Sequence, residues 1–230
     1  MKITTVLLSY KRVKNLDKII KSIKNSSLKP NQLIIINNNP EINLKIDGID
    51  IINMGGNYGC IARHAIALLS KNSHCLFFDD DLMLEEKTIE NLANWSKKLP
   101  ESIIGYFGVK LNLENKATPY LTGKRIFTDH IHTDKPELVD IVLGRIHFCQ
   151  QKKMVENFSL LIKTSDIGRV EDDIFLSLSN NFAGFKNYVI PKIKNGGYIN
   201  LPEGDVAISR QPGHINKRDF TIKQILLSCT

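Results

Sequence analysis

The amino-acid sequence predicts an α/β fold in which a mixed, mostly parallel β-sheet is flanked by helices. Its short apolar runs are continuous rather than alternating, which is typical of strands buried on both faces of a sheet. Amphipathic helical patterns separate these runs, as they do where helices connect parallel strands. Hydrophobic residues make up 42% and charged residues 24% of the 230 residues, an ordinary globular composition. No apolar run reaches the roughly 18 residues of a membrane-spanning helix.

The first half of the chain contains four predicted strands and two predicted helices. The strands cover 3–9, 32–37, 49–53 and 74–79. The first helix is predicted by apolar residues spaced three and four apart, with lysines on the other face: Leu16, Ile19, Ile20 and Ile23. A second helix follows Gly59, whereas the segment 40–48 is too short for one. The order is therefore β-α-β-β-α-β, that of an α/β domain.

The second half of the chain is less regular. It predicts a helix that ends before Pro100, a strand over 103–109, a long loop or hairpin over 112–136 and a strand over 138–143. A further helix is expected from Asp173, and the tail from Gly196 is expected to form loops around one or two short strands. Since no linker is evident, we expect residues 1–110 and 111–230 to be two halves of one continuous domain.

The net charge of the chain is concentrated at its N-terminal end. Eight basic residues and one acidic residue lie in the first 30 positions, so this stretch carries the whole net charge of +7. A basic helix over 14–24 is compatible with a solvated face, an attractor of phosphate or a peripheral contact with an acidic membrane surface. Four cysteines without a C-x-x-C pair, and an N-terminus typical of a strand rather than a signal peptide, favour a cytoplasmic protein.

Three consecutive carboxylates, Asp79, Asp80 and Asp81, follow the predicted strand 74–79. The carboxyl ends of parallel strands meet at the edge of the sheet where ligands bind. Like charges at the end of a buried strand repel one another, and a hard divalent cation removes that penalty while binding substrate phosphate. The alternative is a solvated acidic turn that caps a helix beginning near Leu84. The position after a buried strand favours the site for metal and phosphate.

A second acidic cluster, Glu171, Asp172 and Asp173, opens a predicted helix. Acidic residues at a helix start can act simply as caps, because the helix dipole stabilises negative charge there. They can also serve as a general base towards a substrate hydroxyl. A chain with both acidic clusters has the parts for metal-assisted group transfer.

These features together resemble glycosyltransferases of the GT-A fold, which have a Rossmann-like sheet. The opening 6–12 with its basic helix resembles their first strand and loop, Asp79–Asp81 resembles the D-x-D metal motif, and Glu171–Asp173 resembles the acceptor-side E-D element. Two stretches, 35–40 with its asparagines and 100–109, are similar to exostosin-like transferases. The stretch 57–63, with glycine followed by alanine-arginine, is similar to family 2.

The resemblance implies a role for individual residues in each half of the chain. Residues 1–110 would be the nucleotide-sugar-binding half and 111–230 the acceptor-binding half. The metal, Mn²⁺ or Mg²⁺, would be held by Asp81, Asp79 and His214, although His214 is also compatible with a surface loop. The nucleotide-sugar would be bound by Ser9, Tyr10, Arg12, Asn38, Arg63, Asp79 and Asp80. The catalytic group would be Asp172 in first place, with Asp173 and Glu171 as alternatives.

The function implied is transfer of a sugar from a nucleoside-diphosphate sugar, with a UDP-sugar favoured, to a hydroxyl of a glycan, lipid or glycoprotein. The exostosin-like stretches favour a retaining reaction and the family 2 stretch an inverting one, so the stereochemistry stays open. A sugar nucleotidyltransferase is disfavoured because the loop after the first strand, 9–13, has no glycine. A non-catalytic nucleotide- or nucleic-acid-binding module is disfavoured because residues 1–30 contain one aromatic residue, Tyr10. We therefore expect no nucleic-acid partner.

Overall fold

The computed structural model describes residues 1–163, 171–202 and 207–228, and it confirms the mixed α/β architecture. The β-strands in these residues are β1 (Ile3–Ser9), β2 (Gln32–Asn37), β3 (Asp50–Asn53), β4 (His74–Asp79), β5 (Leu82–Leu84), β6 (Ile103–Gly105), β7 (Phe107–Lys110), β8 (Lys124–Phe127), β9 (Glu137–Val139), β10 (Ile141–Val142), β11 (Ile146–Gln150), β12 (Asn187–Val189) and β13 (Tyr198–Asn200). The α-helices are α1 (Leu16–Lys24), α2 (Ile61–Leu68), α3 (Thr88–Lys98), α4 (Lys153–Lys163), α5 (Asp172–Phe182) and α6 (His214–Ser228).

The main sheet has eight strands in the order β3-β2-β1-β4-β11-β6-β12-β9. Strands β3, β2, β1 and β4 run parallel to one another, and β12 runs parallel to β6. Strand β11 is antiparallel to both of its neighbours, and β9 is antiparallel to β12. Small sheets form from β10-β7-β8 and from β13-β5. The sheet is therefore mixed and mostly parallel, and it contains strands from both halves of the chain.

The core lies on the two faces of β1 and β4. Val6, Leu7, Phe77 and Phe78 are fully buried, which confirms that continuous apolar runs mark strands covered on both sides. The four apolar residues predicted to face the core from the first helix are buried on α1. This packing fixes the strand ends, where the polar residues follow.

Two expectations for the rest of the chain need correction, and two elements were not predicted. The segment after Asp81 forms β5, which pairs with β13, so the helix expected near Leu84 begins only at Thr88. The tail was expected to hold loops and short strands, but its last part is the 15-residue helix α6, which starts directly after Pro212 and Gly213. Strand β11 and helix α4 were not predicted at all. Within the segment 112–136, expected to be a long loop or hairpin, strand β8 pairs antiparallel with β7, which lies before the segment at Phe107–Lys110.

The topology brings several chain segments to one edge of the sheet. Ser9 is in register with Asn37, and Leu8 is in register with Asp79, so β1, β2 and β4 end together. The antiparallel strand β11 begins at this same edge, beside the end of β4. None of the helices in the described ranges combines the length and apolar composition needed to cross a membrane.

Candidate functional site

A cavity of about 600 Å³ opens at this edge of the sheet. Of the twelve predicted site residues, Ser9 does not line it, because its side chain is buried within β1. The other eleven line the cavity: Tyr10, Arg12, Asn38, Arg63, Asp79, Asp80, Asp81, Glu171, Asp172, Asp173 and His214. The fold thus brings together two acidic clusters that lie about 90 positions apart in the sequence.

The carboxylates after β4 are held by arginines. Arg12 Nη1 lies 2.6 Å from Asp80 Oδ1 and 3.5 Å from Asp81 Oδ2. The backbone N–H of Tyr10 also donates to Asp80, at 3.1 Å. Arg145 Nη2 lies 3.6 Å from Asp81 Oδ1. The loop after β1 is therefore tied to the loop after β4 through Asp80.

The ionisation of Asp79 is strongly perturbed. Burial raises the pKa of Asp79 to about 7; Arg63 opposes this shift, and the neighbouring carboxylates Asp80 and Asp81 add to it. Its side chain nevertheless keeps 32% of its surface exposed. A cation placed here would favour the ionised form, because opposite charge lowers a carboxyl pKa.

The donor set at this edge fits a hard divalent cation. Asp79 and Asp81 both line the cavity and offer carboxylate oxygens, which Mg²⁺ and Mn²⁺ prefer. Within residues 1–163, 171–202 and 207–228, no three or more His, Cys, Asp or Glu side chains form a ready metal site. Mg²⁺ is commonly held by one or two carboxylates plus substrate phosphates, so two aspartates suit such a site. His214 Nδ1 lies 3.9 Å from Glu171 Oε1, and its role as a third ligand stays a prediction.

The guanidinium of Arg63, on α2, joins the two acidic clusters. Its Nη1 donates to Asp79 Oδ1 at 2.8 Å and to the carbonyl of Gly144 at 3.0 Å. Its Nε and Nη2 donate to the two oxygens of Asp172, at 2.6 and 3.1 Å. The side chain is 98% buried, and a Cβ added at Gly144 would overlap it. Arg63 thus links the strand-end and helix-start carboxylates, while its predicted contact with the donor stays a prediction.

The acidic cluster at the start of α5 is neutralised from two sides. Arg218 of α6 donates to Glu171 Oε2 at 2.5 Å and to Asp173 Oδ2 at 2.8 Å. Burial raises the pKa of Glu171 to about 7, with Arg218 opposing the shift. Burial alone would also raise the pKa of Asp172, but Arg63 holds it well below its usual value. Glu171 and Asp172 therefore differ in their readiness to accept a proton at neutral pH.

The polar side chains after β2 shape the wall of the cavity. Asn38 Nδ2 donates to Asn57 Oδ1 at 2.8 Å, and its Oδ1 accepts the N–H of Tyr58 at 3.0 Å. The backbone N–H of Asn38 donates to the carbonyl of Ser9 at 2.8 Å. Asn38 therefore holds the loop before α2 against the end of β1, and a direct contact with a nucleoside stays a prediction.

Three cavity residues with clear chemical roles were missed at the level of sequence: Gly144, Arg145 and Arg218. Gly144 and Arg145 lie between a predicted strand and the unpredicted strand β11. Arg218 lies in the tail that was expected to be loops. The spacing of Ile222, Ile225 and Leu226, after the Pro-Gly pair at 212–213, is the pattern that could have indicated α6.

Residues 4–161 match the family model described as Glycosyl transferase family 2. No curated protein matches the chain. The matched range contains the parallel strands and Asp79–Asp81, and it ends before the acidic cluster at the start of α5. The edge of the sheet that holds Asp79–Asp81 therefore lies inside the range characteristic of the family.

Proposed function

Since the chain belongs to glycosyltransferase family 2, whose members move a sugar from a nucleotide-sugar donor to an acceptor, we propose that it uses a nucleoside-diphosphate sugar, with a UDP-sugar favoured. The acceptor group is a hydroxyl of a glycan, lipid or glycoprotein. One observation carries this proposal: a single cavity holds Asp79–Asp81 and Glu171–Asp173 together, with Arg63 bonded to both clusters.

The donor would bind at the ends of β1, β2 and β4. Tyr10, Arg12 and Asn38 lie there, on the wall where a nucleoside would be received. Asp79 and Asp81 would hold Mn²⁺ or Mg²⁺. Such a cation, when bound, neutralises the negative charge that develops on a departing diphosphate. The bond from the anomeric carbon to the β-phosphate oxygen breaks, and its electron pair leaves with that oxygen.

The acceptor hydroxyl would approach from the side of α5. Its oxygen forms the new bond to the anomeric carbon, and its proton must leave. In an inverting reaction a carboxylate of Glu171–Asp173 takes this proton, and in a retaining reaction the same group orients the substrates. Arg63 keeps Asp172, our first choice, ionised at neutral pH. Glu171, with a pKa of about 7, is the better match to proton transfer at that pH.

Thermal unfolding in the presence of UDP, GDP or buffer alone, each with and without Mn²⁺, tests the proposal. A ligand that binds only the folded state raises the midpoint by mass action. We expect UDP to raise it when Mn²⁺ is present, and Asp81→Asn to abolish the increase. The matched control is Lys152→Ala, which removes an exposed ion pair with Glu101 outside the cavity and should leave the increase unchanged.

A donor-hydrolysis panel with UDP-sugars then identifies the sugar. Absence of any nucleotide effect under every metal condition, in a protein that unfolds cooperatively, would overturn the proposal. In that case Asp79–Asp81 would be no more than an acidic turn.

A further inference from the structure

Among the described residues, five lysine and arginine side chains line the cavity: Lys11, Arg12, Arg63, Arg145 and Arg218. The arginines differ in how completely carboxylates neutralise them. Arg12, Arg63 and Arg218 each have a carboxylate oxygen within 2.6 Å. In the part of the chain that the structure describes, the carboxylate paired with Arg145 is that of Asp81, whose Oδ1 lies 3.6 Å away. The short hydrogen bond of Arg145 goes instead to a neutral amide, from Nη2 to Asn200 Oδ1 at 2.9 Å. Among these arginines, Arg145 therefore keeps the largest share of its positive charge available.

The position of Arg145 is fixed although its guanidinium faces the cavity. Its backbone carbonyl accepts the N–H of Asp79 at 3.1 Å, which anchors it beside the end of β4. Its guanidinium lies over the ring of Phe107, 4.7 Å from the centroid. The side chain is 30% exposed, compared with 15% for Arg12 and 2% for Arg63. The side chain is thus held on one flat face while its edge remains accessible.

Strand β13 sets the distance between Arg145 and Asp81. Asn200, at the end of β13, accepts the hydrogen bond from Arg145. The next residue, Leu201, donates its N–H to the carbonyl of Asp81 at 2.7 Å. The same short segment thereby aligns the guanidinium with the carboxylate that is expected to hold the cation.

We infer that Arg145 binds the diphosphate of the donor and stabilises the negative charge that leaves with it, an inference that rests on the proposed function. A guanidinium presents two parallel N–H groups that match a pair of phosphate oxygens, and it stays protonated at every relevant pH. When the bond to the anomeric carbon breaks, the electron pair remains on the β-phosphate oxygen. Arg145 donates hydrogen bonds to that diphosphate and gives up no proton. It therefore adds a fixed positive charge beside the cation held by Asp79 and Asp81.

The inference is tested by comparing nucleotides that differ only in their phosphates. Binding of UDP, UMP and uridine is measured calorimetrically, with and without Mn²⁺, for the wild type, Arg145→Ala and Arg145→Lys. A charge-assisted hydrogen bond lost on phosphate corresponds to a weakening of about 10- to 100-fold. We expect Arg145→Ala to weaken the binding of UDP by this factor and to leave the binding of uridine unchanged. Without Mn²⁺, Arg145→Lys should retain part of the UDP binding that Arg145→Ala loses.

Two further variants separate charge from structure. Asn200→Ala keeps the guanidinium of Arg145 but removes its hydrogen-bond acceptor. The binding of UDP should therefore be weakened less than in Arg145→Ala. Lys192→Ala removes a lysine paired with Asp129 outside the cavity and should leave UDP binding unchanged. With the sugar donor, Arg145→Ala should lower kcat more than it raises KM, because charge on the diphosphate is greatest as the bond breaks.

The outcomes distinguish this inference from the proposed function. If the wild type binds UDP and Arg145→Ala binds it equally well, the assignment of Arg145 is wrong and the glycosyltransferase proposal stands. If Arg145→Ala weakens the binding of uridine as much as that of UDP, Arg145 has only a structural role and the assignment is again wrong. If the wild type binds neither UDP nor GDP under any metal condition, the proposed function fails, and the role of Arg145 fails with it.

Discussion

Replacing Arg63 with methionine should be among the most destabilising single changes in this chain. The guanidinium is 98% buried and makes four hydrogen bonds to Asp79, Asp172 and the carbonyl of Gly144. Methionine has a similar length but offers no donor and no charge. Asp172, itself 97% buried, would then lose the partner that binds both of its oxygens, so the carboxylate would have to stay charged without compensation or take up a proton.

The magnitude follows from the burial of that pair. Removing one partner of a buried ion pair costs about 3–5 kcal/mol, since the other charge is left uncompensated. In a chain of this size each kcal/mol shifts the unfolding midpoint by about 2–4 °C. Arg63→Met should therefore lower the midpoint by roughly 6–20 °C. The double variant Arg63→Met/Asp172→Asn removes both charges and should recover part of this loss.

Thermal and urea unfolding of the four members of the cycle give the coupling energy between Arg63 and Asp172. The control is Lys152→Met, whose ion pair with Glu101 has the same 2.8 Å separation as that of Arg63 with Asp79, but whose side chain is 56% exposed. An exposed pair contributes at most about 1 kcal/mol, so this variant should unfold close to the wild type. If Arg63→Met and Lys152→Met both change the free energy of unfolding by an equally small amount, burial does not determine the cost of removing an ion pair here.

Three other predictions use further features of the site. Gly144→Ala should displace the Arg63 guanidinium and so lower both the unfolding midpoint and the rate of sugar transfer. The control is Gly55→Ala, where an added Cβ meets open space, and it should leave both unchanged. Burial raises the pKa of Glu171 from 4.5 to about 7, so its stabilising contribution is complete below about pH 4.5 and is lost as the pH rises through 7. Glu171→Gln cannot titrate, and its midpoint should fall less than that of the wild type between about pH 5 and 8 in buffered thermal scans. Arg218→Met should cost about 3–5 kcal/mol in urea unfolding, because it leaves two buried carboxylates unpaired.

The parallel half of the sheet and the edge with Asp79–Asp81 could be predicted from the sequence. Strands β1, β2 and β4 are buried on both faces, so their apolar runs are continuous and their ends are marked by the first polar residues. Helix α1 buries one side and exposes its lysines, which gives a strong period of three to four residues. Where buried positions are apolar and regularly spaced, the sequence pattern is enough to predict the element.

Helix α6 and strand β11 carry buried polar side chains that interrupt the apolar pattern of the sequence. Helix α6 buries Arg218, Asp219 and Thr221 beside Ile222 and Ile225, so its inward face does not stand out as hydrophobic. Strand β11 carries the buried His147 in the middle of the sheet. The partners of these polar groups lie far away in the sequence: Arg218 bonds to residues 45 and 47 positions earlier. No local spacing could have indicated such pairs.

The acidic cluster at the start of α5 shows how one helix turn connects the two sides of the cavity. Successive residues of a helix point about 100° apart, so neighbouring carboxylates at a helix start can meet different partners. Asp172 meets Arg63 on α2, inside the range matched by the family, whereas Glu171 and Asp173 meet Arg218 on α6, outside it. Substitutions on α6 can therefore alter the charge environment of Glu171 and Asp173 without touching the strand ends. Changes at Arg63 cannot be confined in this way, because the same guanidinium also binds Asp79.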